Sequence, residues 1–196
     1  EKQDAVREQL RYYPNDSIYE LAGKLRYIEY FYRTTKRIHQ INSVETSEYL
    51  DKIFATAQTG ATIRQLAESV VEEDISYEEA EAFILELIDS QLLKSELEAG
   101  VTGDDLMDVL IAKLQRLNDV SQLPQLIRIK EYLQTIDASA PGDSIGYYDR
   151  IIDIIKRIGV PFEPKFLFQT DLIKPARQAG VSQDVISKIG EVLGFL

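Results

Sequence analysis

Apolar residues change their spacing near residue 45, and this change divides the first half of the chain into two parts. From Ser17 to about Val44, three segments are rich in Ile and Tyr: "SIYELAG", "LRYIEYFYR" and "KRIHQINSV". The stretches "YPND" and "TTK", together with Gly23, bound these segments and favour turns. The pattern predicts a three-stranded antiparallel meander, with residues 25–33 in the middle and "KRIHQINSV" at an edge.

From Thr46 the apolar residues recur with the period of an α-helix, in three successive stripes. Gly60 stands where a left-handed C-terminal cap would end the first helix. Thr62 with Gln65, and Ser76 with Glu79, have the spacing of capping boxes in front of the next two stripes. The stripes are Tyr49, Leu50, Ile53, Phe54 and Ala57; Ile63, Leu66, Ala67, Val70 and Val71; and Ala80, Phe83, Ile84, Leu87 and Ile88.

A short extended segment, "QLLKSEL", follows the third predicted helix. The order of three strands, three helices and one strand is that of a winged helix-turn-helix with its sheet placed first. The sequence therefore predicts an α+β fold. We expect a lead-in segment over residues 1–14, a winged-helix domain over 15–97 and a mostly helical part over 98–196.

The pattern beyond residue 98 is mostly helical. Asp104 is the predicted cap of one helix, Pro124 begins another that runs through Ile136, and "APGDS" at 140–144 is a predicted loop before a further helix. The segment "KFLFQTDL" alternates as a strand would. Ser182 is the predicted cap of a final helix.

Composition and charge narrow the classes of function. The chain has 22 basic and 33 acidic side chains and a net charge of −11, which argues against broad nonspecific binding to nucleic acids or anionic membranes. The sequence has no cysteine, so disulfides, thiolate metal sites and cysteine nucleophiles are excluded. No apolar run approaches the roughly 18 residues of a membrane helix, which predicts a soluble protein. The first residue is Glu1 and the last lies in an apolar helical pattern, so we expect a piece of a longer protein.

A winged helix often binds duplex DNA, but the charge of its helices argues against DNA here. Between Gln65 and Leu93 there is no lysine or arginine. A helix with this charge would be repelled by phosphates, and its acidic face is either solvated or directed at a peptide. The nine acidic residues of this stretch are Glu68, Glu72, Glu73, Asp74, Glu78, Glu79, Glu81, Glu86 and Asp89.

The single histidine, the tyrosines of the middle strand and two aspartate pairs are explained by structural roles without a catalytic or binding site. His39 is the only histidine, and no metal-ligand spacing surrounds it, so it is predicted as a surface or groove residue. The tyrosines of "LRYIEYFYR" could stack on bases, but their alternation favours packing on both faces of the sheet. The pairs Asp104–Asp105 and Asp149–Asp153 are explained by helix caps and solvated faces. The residues indicate neither a metal site nor a cofactor site.

The predicted edge strand has no proline and no long run of charges, so its N–H and C=O groups are open to a further strand. Such an edge can bind an extended peptide by strand addition. The third helix would supply a pocket wall for apolar side chains and two carboxylates for basic ones. The predicted peptide-binding residues are Arg37, Ile38, His39, Gln40, Ile41, Asn42, Ser43, Val44, Glu79, Phe83, Ile84, Glu86 and Leu87.

Three strings make the chain similar to the N-terminal region of the nisin-type lantibiotic dehydratases. They are "LRYIEYFY", "EYLDKIFATAQTGATIRQLAESVVEEDISYEEAEAFILELIDSQLLKSELEAGVTG" and "FQTDLIKPAR". The resemblance implies that glutamyl-tRNA serves as co-substrate to glutamylate serines and threonines of a precursor peptide. Elimination of glutamate then leaves dehydroamino acids.

The resemblance also implies a module like the RiPP recognition element. Such a module binds the precursor's leader peptide beside its third strand, here Arg37 to Glu45, and against its third helix, here Ser76 to Leu92. Asp171 in "FQTDL" is nominated for a wider catalytic site, with a structural aspartate at a strand end as the alternative. The scattered cations Lys165, Lys174 and Arg177 are the candidates for tRNA contact.

Further expectations concern the whole enzyme. Its partners are the leader peptide, the remainder of the dehydratase and glutamyl-tRNA, with homodimerisation of the full-length enzyme as a further expectation. The location is cytoplasmic, with membrane association through a biosynthetic complex as the alternative, and the fragment alone is inactive. A different class of function is a scaffold module that packs intramolecularly without a peptide cleft. A structure in which the edge from Arg37 to Glu45 is already paired within the chain would favour it.

Overall fold

The structure is a computed structural model and describes residues 2–33, 36–98, 103–117, 120–140, 142–169 and 180–195. The chain divides into two compact units, residues 1–162 and 163–196, which are described separately. The first unit contains α1 (Lys2–Gln9), β1 (Tyr12–Pro14), β2 (Tyr19–Leu21), β3 (Lys24–Arg33), β4 (Lys36–Glu45), α2 (Glu48–Ala57), α3 (Ile63–Glu68), α4 (Tyr77–Asp89), β5 (Leu93–Ser95), α5 (Leu106–Leu114), α6 (Leu123–Ala138) and α7 (Ile145–Ile158).

The main sheet is a three-stranded antiparallel meander in the order β2-β3-β4. The register pairs Lys24 with Glu45 and Arg33 with Lys36, so β3 and β4 form a long hairpin. The short strand β2 pairs only with the first residues of β3. This sheet, followed by three helices and a further helical segment, confirms the predicted α+β fold and places β4 at an edge.

The three helices after the sheet begin where local sequence favours a start. The side chain of Ser47 caps α2 by accepting a hydrogen bond from the N–H of Leu50. The capping boxes predicted in front of α3 and α4 are both present. Gly60, after α2, has a φ of +83°, a backbone conformation that favours glycine. A Cβ at this residue would lie 2.5 Å from the end of the Tyr13 side chain, which would have to move.

The hydrophobic core forms where one face of the sheet and the buried sides of α2, α3 and α4 meet. Tyr27 contributes the buried aromatic ring of β3 and is 2% exposed. Burial of these apolar side chains is the main favourable contribution to the stability of the unit. The core consists of Leu10, Tyr12, Tyr27, Leu50, Ile53, Ala57, Ala61, Ile63, Leu66, Ala67, Val70, Ala80, Ile84, Leu87, Leu92 and Leu93.

The segment predicted as a lead-in contributes to this same core. In β1, Tyr12 lies opposite Ser95 of β5, and its N–H and C=O also bond to Ala61 at 2.8 and 3.1 Å. Leu10 and Tyr12 are 7% and 1% exposed. Residues 10–14 are therefore tied by hydrogen bonds and by burial to the segments before α3 and after α4.

The helices α5, α6 and α7 follow the predicted order. Asp105, and not the predicted Asp104, caps α5, because its side chain accepts from the N–H of Asp108 at 3.1 Å. Proline lies in the first turn of α6, as predicted. The helix α7 ends at Gly159, whose φ of +84° gives the left-handed C-terminal cap.

In the second unit, the predicted strand "KFLFQTDL" is wrong for the residues that the structure describes. Pro164–Phe166 form a 3₁₀ turn, in which the N–H of Phe166 bonds to the C=O of Glu163 at 2.9 Å. The fixed φ of proline is compatible with such a turn, which here prevails over the apolar alternation. The final helix, α8, spans Gln183–Phe195 after Ser182. None of the helices in the described part of the chain is long and apolar enough to cross a membrane.

Candidate functional site

The outer edge of β4 carries main-chain groups that no described residue satisfies. In β3, the N–H groups of Ile28 and Tyr30 donate to side chains and not to β4. Ile41 and His39 lie opposite these residues, so their main-chain groups also point away from the partner strand. Within the part of the chain that the structure describes, no hydrogen bond reaches these outward main-chain groups. The outward residues are Arg37, His39, Ile41 and Ser43.

The opposite edge of the hairpin, along β3, is closed by side chains. The amide of Gln91 pairs with both main-chain groups of Tyr30: Oε1 accepts from the N–H at 3.0 Å and Nε2 donates to the C=O at 2.7 Å. Ser17 Oγ accepts from the N–H of Ile28 at 2.9 Å, and Asn15 Nδ2 donates to the C=O of Ile28 at 3.1 Å. Gln91 has a φ of +60°, so a left-handed residue carries this amide.

The two faces of β4 differ in burial. On the core side, Ile38, Asn42 and Val44 are half-buried, and Val44 packs against the hydrophobic core. The exposed Gln40 donates to the Glu29 carboxylate at 3.1 Å, and Asn42 donates to the same carboxylate. On the outer side the four outward residues are exposed, and Ile41 is 65% exposed.

The outer face holds a stacked group of side chains around Tyr30. The guanidinium carbon of Arg37 lies 3.9 Å from the centre of the Tyr30 ring, and Arg37 donates to the Tyr32 hydroxyl at 3.3 Å. The His39 ring is 6.2 Å from the Tyr30 ring. Burial, followed by the negative charge of Glu98, raises the pKa of Tyr30 above its usual value, so the phenol stays neutral. The sequence analysis missed this arrangement.

Helix α4 separates the predicted pocket residues into two groups. Ile84 and Leu87 are 0% and 5% exposed and belong to the hydrophobic core, so their side chains are closed to a ligand. Phe83 is half-buried, and Glu79 and Glu86 are exposed. Residues 79, 83 and 86 follow each other at spacings of four and three, so they share one side of the helix.

Glu79 and Phe83 line a cavity of about 360 Å³ beside α4. Tyr49 also lines this cavity. It follows the end of β4 by four residues, so its main chain lies within about 14 Å of the end of that strand. The lining is mostly apolar with a carboxylate rim. The remaining lining residues, which the sequence analysis did not assign to a site, are Val70, Asp74, Ile75 and Ala80. Two of these residues belong to apolar helical stripes and two lie between α3 and α4, and neither pattern in the sequence indicates a cavity.

Two carboxylates, one that lines this cavity and one that acts on Tyr49 in its lining, are held by hydrogen bonds or an ion pair. The Glu79 carboxylate accepts from the N–H and the hydroxyl of Ser76 at 3.0 and 2.9 Å, and these bonds lower the pKa of Glu79. The Glu72 carboxylate raises the pKa of Tyr49. Lys52 pairs with Glu72 at 2.5 Å and lowers the pKa of Glu72. Both carboxylates therefore stay charged near neutral pH.

Comparison with known proteins identifies the family to which the whole chain, including these sites, is similar. A family model described as lantibiotic dehydratase, N terminus, matches residues 1–196. The chain belongs to this family. Membership assigns this lantibiotic dehydratase segment to lantibiotic biosynthesis and confirms the resemblance noted in its sequence.

A solved structure has the same fold as the lantibiotic dehydratase segment. It is the tRNA-dependent lantibiotic dehydratase MibB from Microbispora sp. 107891, with a TM-score of 0.59 at 13% sequence identity. The match covers 82% of this chain and 16% of MibB, so the segment corresponds to a small part of that enzyme's length. No curated protein sequence matches the chain.

Asp171, the residue of the dehydratase segment nominated for a catalytic site, lies outside the described residues. Lys174 and Arg177 lie there as well. Lys165 is in the described part of the second unit, where it pairs with Glu163 at 3.3 Å. Among the described residues, no group of His, Cys, Asp and Glu side chains has the arrangement of a metal site.

Proposed function

We propose that this segment binds the leader of a ribosomal precursor peptide by strand addition to β4. The single observation that carries the proposal is the row of outward main-chain groups at Arg37, His39, Ile41 and Ser43. An extended peptide that pairs with this row gains main-chain hydrogen bonds regardless of its sequence. An edge paired within the chain would favour the scaffold alternative, and the hydrogen bonds of the described residues include no such pairing.

Selectivity in this proposal comes from the side chains beside the strand. Alternate residues of a bound peptide point to the core side of the sheet. In this proposal the apolar cavity lined by Tyr49 and Phe83 accepts an apolar side chain, while Glu79 in its lining attracts a basic one. Glu86, which is exposed on the same side of α4, is the second proposed carboxylate. Ile84 and Leu87, predicted as direct contacts, belong to the hydrophobic core and are left out of this proposal.

In the complete enzyme, the bound leader would hold the precursor while its serines and threonines are dehydrated. The proposed reaction is glutamylation from glutamyl-tRNA followed by elimination of glutamate. Support for the tRNA requirement comes from the family and from the tRNA dependence stated for MibB. Asp171 remains the proposed member of the catalytic site, and homodimerisation and a cytoplasmic location remain proposals.

Titration of a fluorescently labelled leader peptide tests this function. The peptide is taken from the precursor gene beside the dehydratase gene, and a scrambled peptide of the same composition is the control. We expect saturable binding to the 196-residue chain at micromolar concentrations, about 10 μM, and no saturation with the scrambled peptide. Equal binding of the two peptides, or no binding by a chain shown to be folded by circular dichroism, would refute the proposal.

A further inference from the structure

Helices α6 and α7 carry a cluster of arginines and tyrosines that leader binding does not use. The rings of Tyr132 and Tyr147 are 5.4 Å apart and inclined at 49°. The guanidinium of Arg128 lies 4.7 Å from the Tyr132 ring. The guanidinium of Arg150 lies 5.1 Å from the Tyr147 ring and 5.9 Å from the Tyr132 ring. Tyr132 thus stands between two cations and a second ring.

This cluster borders a cavity of about 370 Å³ between the two helices. Two guanidiniums flank it, from Arg128 and Arg157, and Tyr132 and Ile154 supply an aromatic and an apolar wall. No carboxylate is among the described residues that line it. The described lining of the cavity beside α4 instead has the carboxylates of Asp74 and Glu79 and no basic residue. The linings of these two cavities therefore differ in the sign of their charge.

The charge of the two helices also departs from that of the chain. They carry five basic and four acidic side chains, whereas the whole chain has a net charge of −11. Arg150 and Arg157 have no carboxylate within ion-pair distance among the described residues. Arg128 pairs with Glu131 at 2.7 Å, but both side chains are more than half exposed, and exposed pairs of this kind are weak. The charged residues are Arg128, Lys130, Glu131, Asp137, Asp149, Arg150, Asp153, Lys156 and Arg157.

Packing between α6 and α7 accounts for the contact of the two tyrosine rings but not for the arginines around them. The buried side chains of Ile129, Ile151 and Ile154 already supply an apolar contact between α6 and α7. The arginines lie outside that contact, since Arg128, Arg150 and Arg157 are exposed. Guanidiniums bind phosphate through two parallel hydrogen bonds, and a tyrosine ring stacks on a base of any sequence. Together they make a site for a nucleotide.

We propose that the cavity between α6 and α7 binds the single-stranded end of an RNA. A base stacks on Tyr132, and the neighbouring phosphates contact Arg128 and Arg157. The cluster is too small for a duplex, and the acidic α4 makes duplex DNA unfavourable. The inference rests on the tRNA requirement of the proposed function for the identity of the RNA, and it is independent of leader binding.

The test measures fluorescence anisotropy of a labelled single-stranded RNA that ends in CCA, titrated with the 196-residue chain at several salt concentrations. Removing one phosphate contact with Arg157→Gln should lower the slope of log affinity against log salt by about 0.7. Removing the stacking surface with Tyr132→Leu should weaken binding by about tenfold and leave the slope unchanged. If these side chains only stabilised the fold, the two variants would not differ in whether the salt slope changes along with the RNA affinity.

Arg64→Gln on α3 is the matched control. Arg64 is exposed and pairs with Glu68 at 2.8 Å, as Arg128 does with Glu131, but it lines none of the cavities described above. We expect RNA binding of this variant to equal that of the unmodified chain. Glu131→Gln should instead tighten binding, about threefold, because it removes a carboxylate that competes for Arg128.

The outcomes decide between the alternatives. An unchanged slope and affinity in Arg157→Gln would overturn the proposal, as would an equal loss in Arg64→Gln. Competition by polyglutamate as strong as that by unlabelled RNA, together with no effect of Tyr132→Leu, would show a general polyanion site instead. Because leader binding is measured with a different ligand and depends on β4, failure of either proposal leaves the other intact.

Discussion

The two edges of the β3–β4 hairpin differ in whether their outward N–H and C=O groups have hydrogen-bond partners. Along β3, side chains from the loop before β2 and from the end of α4 take the place of a neighbouring strand, and Gln91 satisfies both main-chain groups of Tyr30. Along β4, the equivalent groups of His39 and Ile41 have no such partner among the described residues. An unprotected edge invites pairing with another chain. Of these two edges, the one along β4 is therefore open to the strand addition that we propose.

The largest expected effect comes from proline in the open edge. Ile41→Pro removes an outward N–H and places the proline ring where a peptide would pair, so leader affinity should fall by about a hundredfold with little change in stability. The matched variant is Gln40→Pro, whose lost N–H faces β3, so it should destabilise the sheet. Peptide titration and urea unfolding of both variants measure the two effects. Unfolding by Ile41→Pro would mean that this main chain is already paired.

The next prediction distinguishes the core residues of α4 from the residue of that helix that lines the cavity. Ile84→Ala leaves a cavity in the closed core and should lower the free energy of unfolding by about 2–5 kcal/mol. Phe83→Ala, at the half-buried cavity wall, should weaken leader binding by about tenfold and destabilise much less. Denaturant unfolding and peptide titration provide the comparison. Equal destabilisation by the two variants would show that Phe83 is a core residue.

A smaller effect tests the closed edge. Gln91→Ala leaves both main-chain groups of Tyr30 without partners and should cost about 2 kcal/mol of stability, while leader affinity stays unchanged. Gln91→Gly loses the same bonds but removes the strain of a φ of +60°, so it should be more stable than the alanine variant by about 1 kcal/mol. Urea unfolding distinguishes the three proteins. If the Gln91→Ala variant has the same free energy of unfolding as the native protein, the Gln91 amide does not stabilise this edge.

The smallest effect is the pH dependence of the α4 cap. Hydrogen bonds from Ser76 lower the pKa of Glu79 below 4.5, so the stabilisation is present above the pKa of the unfolded chain and is lost as pH falls through the folded value. Glu79→Gln keeps an acceptor, as Gln65 shows in the other capping box, but does not titrate. The melting temperature of this variant should therefore change less between about pH 5 and pH 3. Parallel curves for the two proteins would contradict the assignment.

Local rules predicted the parts of this fold that local interactions determine. Both capping boxes and the glycine after α2 depend on residues within one turn of each other, and all three are present. The pairing of β1 with β5 joins strands about 80 residues apart and three residues long, which is too short for a periodic signal. "KFLFQTDL" shows the converse, because its alternation predicted a strand where Pro164 begins a 3₁₀ turn.

The candidate site was predictable only in outline. The open strand follows from its position in the meander and its lack of proline, and the acidic helix can be identified directly from the sequence. The separation of Phe83 from Ile84 and Leu87 depends on how far the core reaches around α4, which a stripe of apolar residues does not indicate. The closure of β3 depends on Gln91, whose conformation no neighbouring residue predicts.

The length of β4 limits how many residues of a leader peptide the proposed complex can immobilise. Ten residues at about 3.4 Å each give an edge of about 34 Å, so only a short part of a leader can be fixed there. The remaining residues would act as a flexible tether. A tether raises the local concentration of every serine and threonine it can carry to the catalytic site, and that concentration falls as the tether lengthens. The order in which sites are modified would then depend on their distance along the precursor from this strand.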